Sequence, residues 1–337
     1  MAIQLVQTNV KAVVYKGGND MTEVFKSINW NEIEDPVDKM TWDKLISQFW
    51  IDTRMPISND LPDWRKLSDK EKDLFNKVFG GLTALDTLQS EDGNEQIKQD
   101  AKTKHEIAVY NNIQFFETIH AKSYSSIFST LCTPKEIKEI FKWTEDNDML
   151  QYKAKRIKDI YLNGTSMQKK IASVFLESFL FYSGFYTPLY YFGKGKMVNV
   201  AEVIRLILRD ESSHGVFIGH KFNLEYKKAS KEEQEEIKNW AYELLYDLYN
   251  NEVKYTEYLY DELGWTEDVK TFLRYNANKA LMNLKLPVLF PDSAEDVNPI
   301  VMNGISTSTS NQDFFSSVGN GYLLTPVEDM KDEDYNF

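Results

Sequence analysis

Apolar residues recur every three or four positions along most of this chain, with polar residues filling the opposite phase. A period near 3.6 is the mark of helices that bury one stripe. It runs through roughly 68–91, 101–130, 134–162, 166–191, 198–226, 230–261 and 266–283. Helix starts punctuate these runs. Ser68-x-x-Glu71, Thr133-Pro134-x-Glu136 and Ser230-x-x-Glu233 have the form in which side chain and backbone cap each other, and Thr266 precedes two acids. Alternation of period two is confined to "IQLVQTNVKAVVY" near the N-terminus, a candidate short strand or a loose extension. No fixed-period repeat and no interdomain linker interrupts the pattern. An all-α domain over about 26–300 is expected, preceded by an extension at 1–25.

From Asn303 the composition turns to Ser, Thr, Asn and Gly, then to the acidic "PVEDMKDEDYNF". Such a segment buries too little apolar area to offset its ordering entropy. Residues 301–337 are therefore expected to form a flexible tail, with Tyr322, Tyr335 and Phe337 as aromatic anchors for a partner.

The run "IASVFLESFLFYSGFYTPLYYF", 171–192, is long enough to span a bilayer. It has no second span beside it and is interrupted by Pro188 and Gly184, and basic residues flank both ends. The expectation is a soluble protein with this helix at its centre. Its single charge, Glu177, then lies in the core, where a carboxylate must be paired or bound to metal.

Charge narrows the function classes. A formal net charge of −13 over 337 residues argues against nucleic-acid binding. One cysteine, Cys132, excludes an intrachain disulfide, and no secretory signal opens the chain, so cytoplasm is expected.

The four histidines supply the candidate chemistry. Glu117-x-x-His120 and Glu211-x-x-His214 repeat one arrangement on two apolar helices, each pair sharing one face. One such pair is ordinary helix chemistry; two in a chain this poor in histidine point to metal. Glu177 and Asp86, the latter among Leu82, Leu85 and Leu88, complete a set drawn from four helices. One carboxylate from each of two helices and a Glu-x-x-His from each of two others is the ligand set of ferritin-like dimetal bundles. Four carboxylates offset the charge of two divalent ions while two imidazoles leave positions open. His105 and His220 lack such company and are expected at the surface, without a role.

Tyr124 lies one turn beyond His120. Phe181 and Phe185 follow Glu177 on its face, and Ile207 precedes Glu211 on its own, so the phenol is expected in an apolar pocket suited to a stored radical.

"ETIHAKSYSSIFSTLC", "FLESFLFYSGF" and "RDESSH" together resemble the small (β) subunit of class I ribonucleotide reductase, closest to its class Ib form. The resemblance runs from about residue 30 to the C-terminus. It implies a ferritin-like homodimer whose two manganese or two iron ions oxidise Tyr124 to a tyrosyl radical, with a reduced flavodoxin-like activator serving the manganese form. It also implies that the radical passes to a separate large subunit holding the nucleotide. By the same resemblance Trp50, in "QFWIDTRMPISND", is the relay tryptophan and Asp210 the aspartate linking it to His120. Tyr322, in "GNGYLLTPVEDM", becomes the tail tyrosine that carries the radical across the interface. A stand-alone dimetal oxidase or oxygenase, and an iron-storage or structural bundle, are the competing readings.

Overall fold

A computed structural model describes residues 24–305. The candidate N-terminal strand and Tyr322, Tyr335 and Phe337 lie outside the described residues. Among those residues the structure is helical, with no strand. In chain order the helices are α1 (Pro36–Ser47), α2 (Leu61–Trp64), α3 (Asp69–Leu88), α4 (Asn94–Lys98), α5 (Lys104–Leu131), α6 (Pro134–Asp146) and α7 (Asp148–Asn163). There follow α8 (Ser166–Phe175), α9 (Tyr182–Gly193), α10 (Val198–Tyr226), α11 (Lys231–Tyr260), α12 (Thr266–Asn283) and α13 (Pro299–Ile305).

The capping sequences act as expected. Ser68, Thr133 and Ser230 each accept from the backbone N–H three residues on, and the glutamate there returns a bond to the cap's own N–H. Other boundaries differ from the periodicity. The run over 134–162 is two helices, because Asn147 turns extended (φ −80°, ψ 109°) and caps α7 through its side chain to Leu150 N–H. Hydrophobic period cannot register such a break, since the apolar stripe continues across it.

Two runs contain π-helical turns: Gln89–Gly93 after α3, and Leu176–Leu180 between α8 and α9. A π turn inserts a residue and rotates the side chains beyond it, and such turns concentrate at functional sites. Here each lies at a ligand-bearing helix. The last described helix, α13, straddles the 300/301 boundary and packs on α9. Gly304 permits the contact: a Cβ there would come within 2.5 Å of the Leu189 carbonyl oxygen.

The centre is made by α3, α5, the α8–π–α9 segment and α10, which pack on one another, while α7, α11 and α12 cover the outside. Residues 171–189 are buried throughout. Among the described residues no helix is long and apolar enough to cross a membrane.

The core also holds an ion pair that the pattern of the chain gives no reason to single out. Lys153 on α7 and Glu252 on α11 are buried and joined at 2.6 Å, with the ammonium 3.9 Å from the Tyr255 ring centroid. Desolvation pulls the lysine below its ordinary pKa against the attraction of Glu252. Glu252 Oε2 has no hydrogen-bond partner, so removing the lysine strands a buried carboxylate. Lys153→Met is expected to destabilise by about 3–5 kcal/mol, and adding Glu252→Leu to restore most of it. Urea denaturation of both variants checks this; an unaltered midpoint for the single variant would refute it.

Candidate metal centre and tyrosine site

Each element brings its ligand inward through its buried face. Asp86 comes from the last turn of α3, Glu117 and His120 from mid-α5, Glu177 from the π turn, and Glu211 and His214 from α10. All six side chains are fully buried. They form two groups: Asp86, Glu117, His120 and Glu211, and Glu117, Glu177, Glu211 and His214, with one ligand atom per residue within 4.8 Å of the others in each. Glu117 and Glu211 belong to both. Six ligands for two ions are expected from the sequence; the structure shows which two carboxylates the two groups share.

The imidazoles turn Nδ1 toward the carboxylates. His120 Nδ1 is 2.9 Å from Glu211 Oε1, and His214 Nδ1 is 2.8 Å from Glu117 Oε1. The rings are nearly parallel at 6.0 Å between centroids.

This donor set is one that metal completes. Both oxygens of Asp86, Glu117 and Glu211, Glu177 Oε2 and Nδ1 of both histidines are buried without a well-formed hydrogen bond. So many orphaned polar atoms are not tolerated in an apolar core unless something else binds them. Four carboxylates with two imidazoles match divalent manganese or iron.

Electrostatics agree. Burial, then repulsion from Glu117 and Glu211, holds the Asp86 carboxyl well above the usual range. Burial, then Glu211 and Glu117, does the same to Glu177. For His120, desolvation opposes the charge, but the close approach of the Asp210, Glu117 and Glu211 carboxylates wins and raises it well above an ordinary imidazole. His214 is raised in the same way by Glu117 and Glu177. Burial likewise opposes the charged form of Glu211, yet contacts with Glu177 and both imidazoles hold it below the usual range.

Groups whose pKa is raised hold their protons to higher pH than their free counterparts, and a cation competes with those protons. Manganese(II) loading is therefore expected to release protons and to weaken as pH falls from about 8 to about 6. Calorimetry in two buffers of different ionisation enthalpy measures the release; a buffer-independent heat would count against this charge assignment.

Tyr124 is fully buried, and its hydroxyl faces the Asp86 carboxylate without completing a well-aligned hydrogen bond. Burial, then the charges of Asp86 and Glu211, pushes the phenol well above its ordinary pKa. Phe181, Phe185 and Ile207 are fully buried, with Phe181 and Phe185 packed together at 5.9 Å. The ring that stacks on Tyr124, at 6.0 Å, is Phe79 of α3. Phe79 is absent from the pocket expected from the sequence, although it precedes Asp86 by seven residues and so lies on the same face.

A polar chain leads outward from His120. Its Nε2 lies 3.3 Å from Asp210 Oδ2, and the same oxygen accepts from Trp50 Nε1 at 2.7 Å. Arg209 occupies the other oxygen and also donates to the Gln48 carbonyl at 2.6 Å. Trp50 sits in the loop after α1, and that loop is pinned on both sides. Asp52 accepts from Lys122 Nζ of α5 at 2.6 Å, and Asp60 accepts from Val200 N–H of α10 at 2.7 Å. Trp50 is buried, with 8 % exposure, so the chain leads toward the protein surface without opening onto it.

The two remaining histidines correct the expectation. His105 is buried, with Nε2 2.9 Å from the Asn29 carbonyl oxygen and its ring edge-on to Trp30. His220 is half-buried and bonded to Asp35 at 2.8 Å. Both partners come from the segment leading into α1, whose covering of α5 and α10 no local pattern reveals.

The fold and centre define a helical bundle with a dimetal carboxylate site beside a buried tyrosine. The family described as ribonucleotide reductase, small chain, matches residues 27–299, and the chain belongs to that family. It is 50 % identical over 312 residues to the ribonucleoside-diphosphate reductase subunit beta of Mycobacterium leprae, covering 92 % of this chain and 96 % of that protein. To ribonucleoside-diphosphate reductase 2 subunit beta of Escherichia coli it is 49 % identical, covering 92 % and 98 %. The crystal structure of dimanganese(II)-NrdF from Streptococcus sanguinis superposes with a TM-score of 0.84 at 68 % identity, over 84 % of this chain and all of that one.

Proposed function

We propose that this chain is the radical-generating small subunit of a ribonucleoside-diphosphate reductase, with Tyr124 as the radical site. The observation that carries the reading is one continuous arrangement: paired carboxylate–histidine groups, a sequestered phenol facing Asp86, and the His120–Asp210–Trp50 chain leading toward the surface. Asp86, Glu117, His120, Glu177, Glu211 and His214 would hold two ions, manganese by likeness to the Streptococcus sanguinis protein, or iron by donor type. Once oxidised by an external oxidant, such a pair would supply the one-electron oxidant.

The protein's own groups do the rest. With its pKa raised, the Tyr124 phenol stays protonated, so it gives up an electron only as its Oη proton also leaves. Asp86, facing that hydroxyl, is the base placed to take the proton. Phe79 and the fully buried surroundings keep water and reductants from the oxidised ring. Along the exit, Asp210 Oδ2 holds the indole N–H of Trp50 and faces His120 Nε2, so a proton can shift at Asp210 as Trp50 is oxidised and reduced.

The acceptor is a large subunit holding the ribonucleotide, reached from Trp50 through Tyr322, with the part of the 301–337 tail that follows α13 docking on it. A homodimer of the 26–300 bundle, activation by a flavodoxin-like protein for the manganese form, and a cytoplasmic setting complete the reading. It is tested by deleting the residues after Gly321 and assaying with the large subunit. Nucleotide reduction is expected to vanish while the radical still forms. Undiminished reduction would overturn the role of the tail, and turnover of an organic substrate without a large subunit would favour a stand-alone oxidase.

A further inference from the structure

Glu177 differs from the other carboxylates of the centre in having one oxygen already engaged. Gln89, fully buried at the start of the first π turn, donates through Nε2 to Glu177 Oε1 and to Ser173 Oγ at 2.8 Å. Its own Oε1 accepts from the Tyr161 hydroxyl at 2.6 Å. These partners fix the amide's orientation, since the flipped form would set oxygen against the carboxylate. Space for it comes from Gly93, the last residue of the same π turn. A Cβ there would lie 2.1 Å from Gln89 Oε1 and 2.9 Å from Tyr161 Cε2. Glu177 Oε2 remains without a protein partner, 3.4 Å from His214 Nδ1. Asp86, its counterpart in the other group, has both oxygens open.

We propose that Gln89 is a positioning residue: it confines Glu177 to presenting Oε2, and so sets the divalent-cation affinity of the Glu177–His214 position separately from that of the Asp86–His120 position. Tyr161 fixes the amide, and Gly93 makes room for it. The assignment rests on the dimetal reading above. It follows from how a hydrogen-bonded neighbour acts on a ligand, by removing rotamers that do not bind the ion. Because Gln89 hydrogen-bonds Glu177 and neither shared carboxylate, the effect is confined to one position.

The test is manganese(II) titration of the full-length, metal-free protein, reading free aquated ion by EPR. Wild type is expected to take two ions per chain. Gln89→Met is expected to take one with unchanged affinity and the other at least about tenfold more weakly. Adding Asp86→Ala should then abolish the retained tight ion. Tyr161→Phe, which keeps the ring, should weaken the same position by a smaller factor, and it decides the matter if Gln89→Met does not fold. The lost buried hydrogen bonds are expected to lower the thermal midpoints of the metal-free variants, more in Gln89→Met than in Tyr161→Phe, while the Asp86–His120 position keeps its affinity; a general packing defect weakens both positions. Two wild-type affinities in Gln89→Met, equal weakening of both, or a tight ion that survives Asp86→Ala would each overturn the proposal. A wild type that binds fewer than two ions would overturn the dimetal reading itself.

Discussion

Tyr124→Phe is expected to abolish the tyrosyl-radical EPR signal of metal-loaded, oxidised protein while two metal ions per chain still bind. The reason is local. The phenol has no aligned hydrogen-bond partner, so deleting its hydroxyl removes the oxidisable group without stranding a buried polar atom. Folding stability should change little, and the metal ligands keep their places. Nucleotide reduction with the large subunit should fall about a thousandfold or more, on the order of 4 kcal/mol in the barrier. A persisting tyrosyl signal of normal shape would move the radical to another residue, with buried Tyr110, Tyr161 and Tyr182 the places to look.

Trp50→Phe is expected to separate formation of the radical from its use. Trp50 lies outside both ligand groups and meets the centre through its bond to Asp210 and a ring stack on His120 at 6.1 Å, neither of which supplies a ligand atom, so metal content and the Tyr124 signal should survive. Reduction should again drop by about a thousandfold, because phenylalanine is hard to oxidise and offers no N–H to Asp210. The lost donor leaves Asp210 Oδ2 with its longer contact to His120 alone, a cost of about 1–3 kcal/mol in stability. Rapid-quench assays beside EPR of the same samples decide it. Normal reduction in the variant would remove Trp50 from the path, and loss of the radical as well would make it part of the centre's assembly. Failure in both substitutions would return the chain to the plain dimetal-bundle reading, which depends on neither residue.

Much of the centre is legible in the amino-acid sequence, because its chemistry is written in local spacing. Glu117, His120 and Tyr124 share a face through helical geometry alone. Glu177 stands out as the one charge in an apolar run, and the repeated Glu-x-x-His in a chain with four histidines points to the metal. The helical class follows from period and caps, both properties of a few consecutive residues. Pairings across the chain are not legible. Nothing near Gln89 indicates that it meets Glu177, 88 residues away, or that Tyr161 backs it. The same holds for Phe79 against Tyr124 and for Lys153 against Glu252.

The sequence by itself determined which side chains this protein can bring to metal and radical chemistry, and on which helical faces. Only the tertiary structure decided that Glu117 and Glu211 are shared between two positions, that one Asp210 oxygen serves both His120 and Trp50, and that Glu177 has a single oxygen to give. The division has a physical cause. A helix fixes its own faces through backbone bonds four residues apart, whereas the meeting of faces depends on packing among helices far apart in the chain. Two π turns, invisible to a 3.6-residue period, adjust that packing at the centre itself.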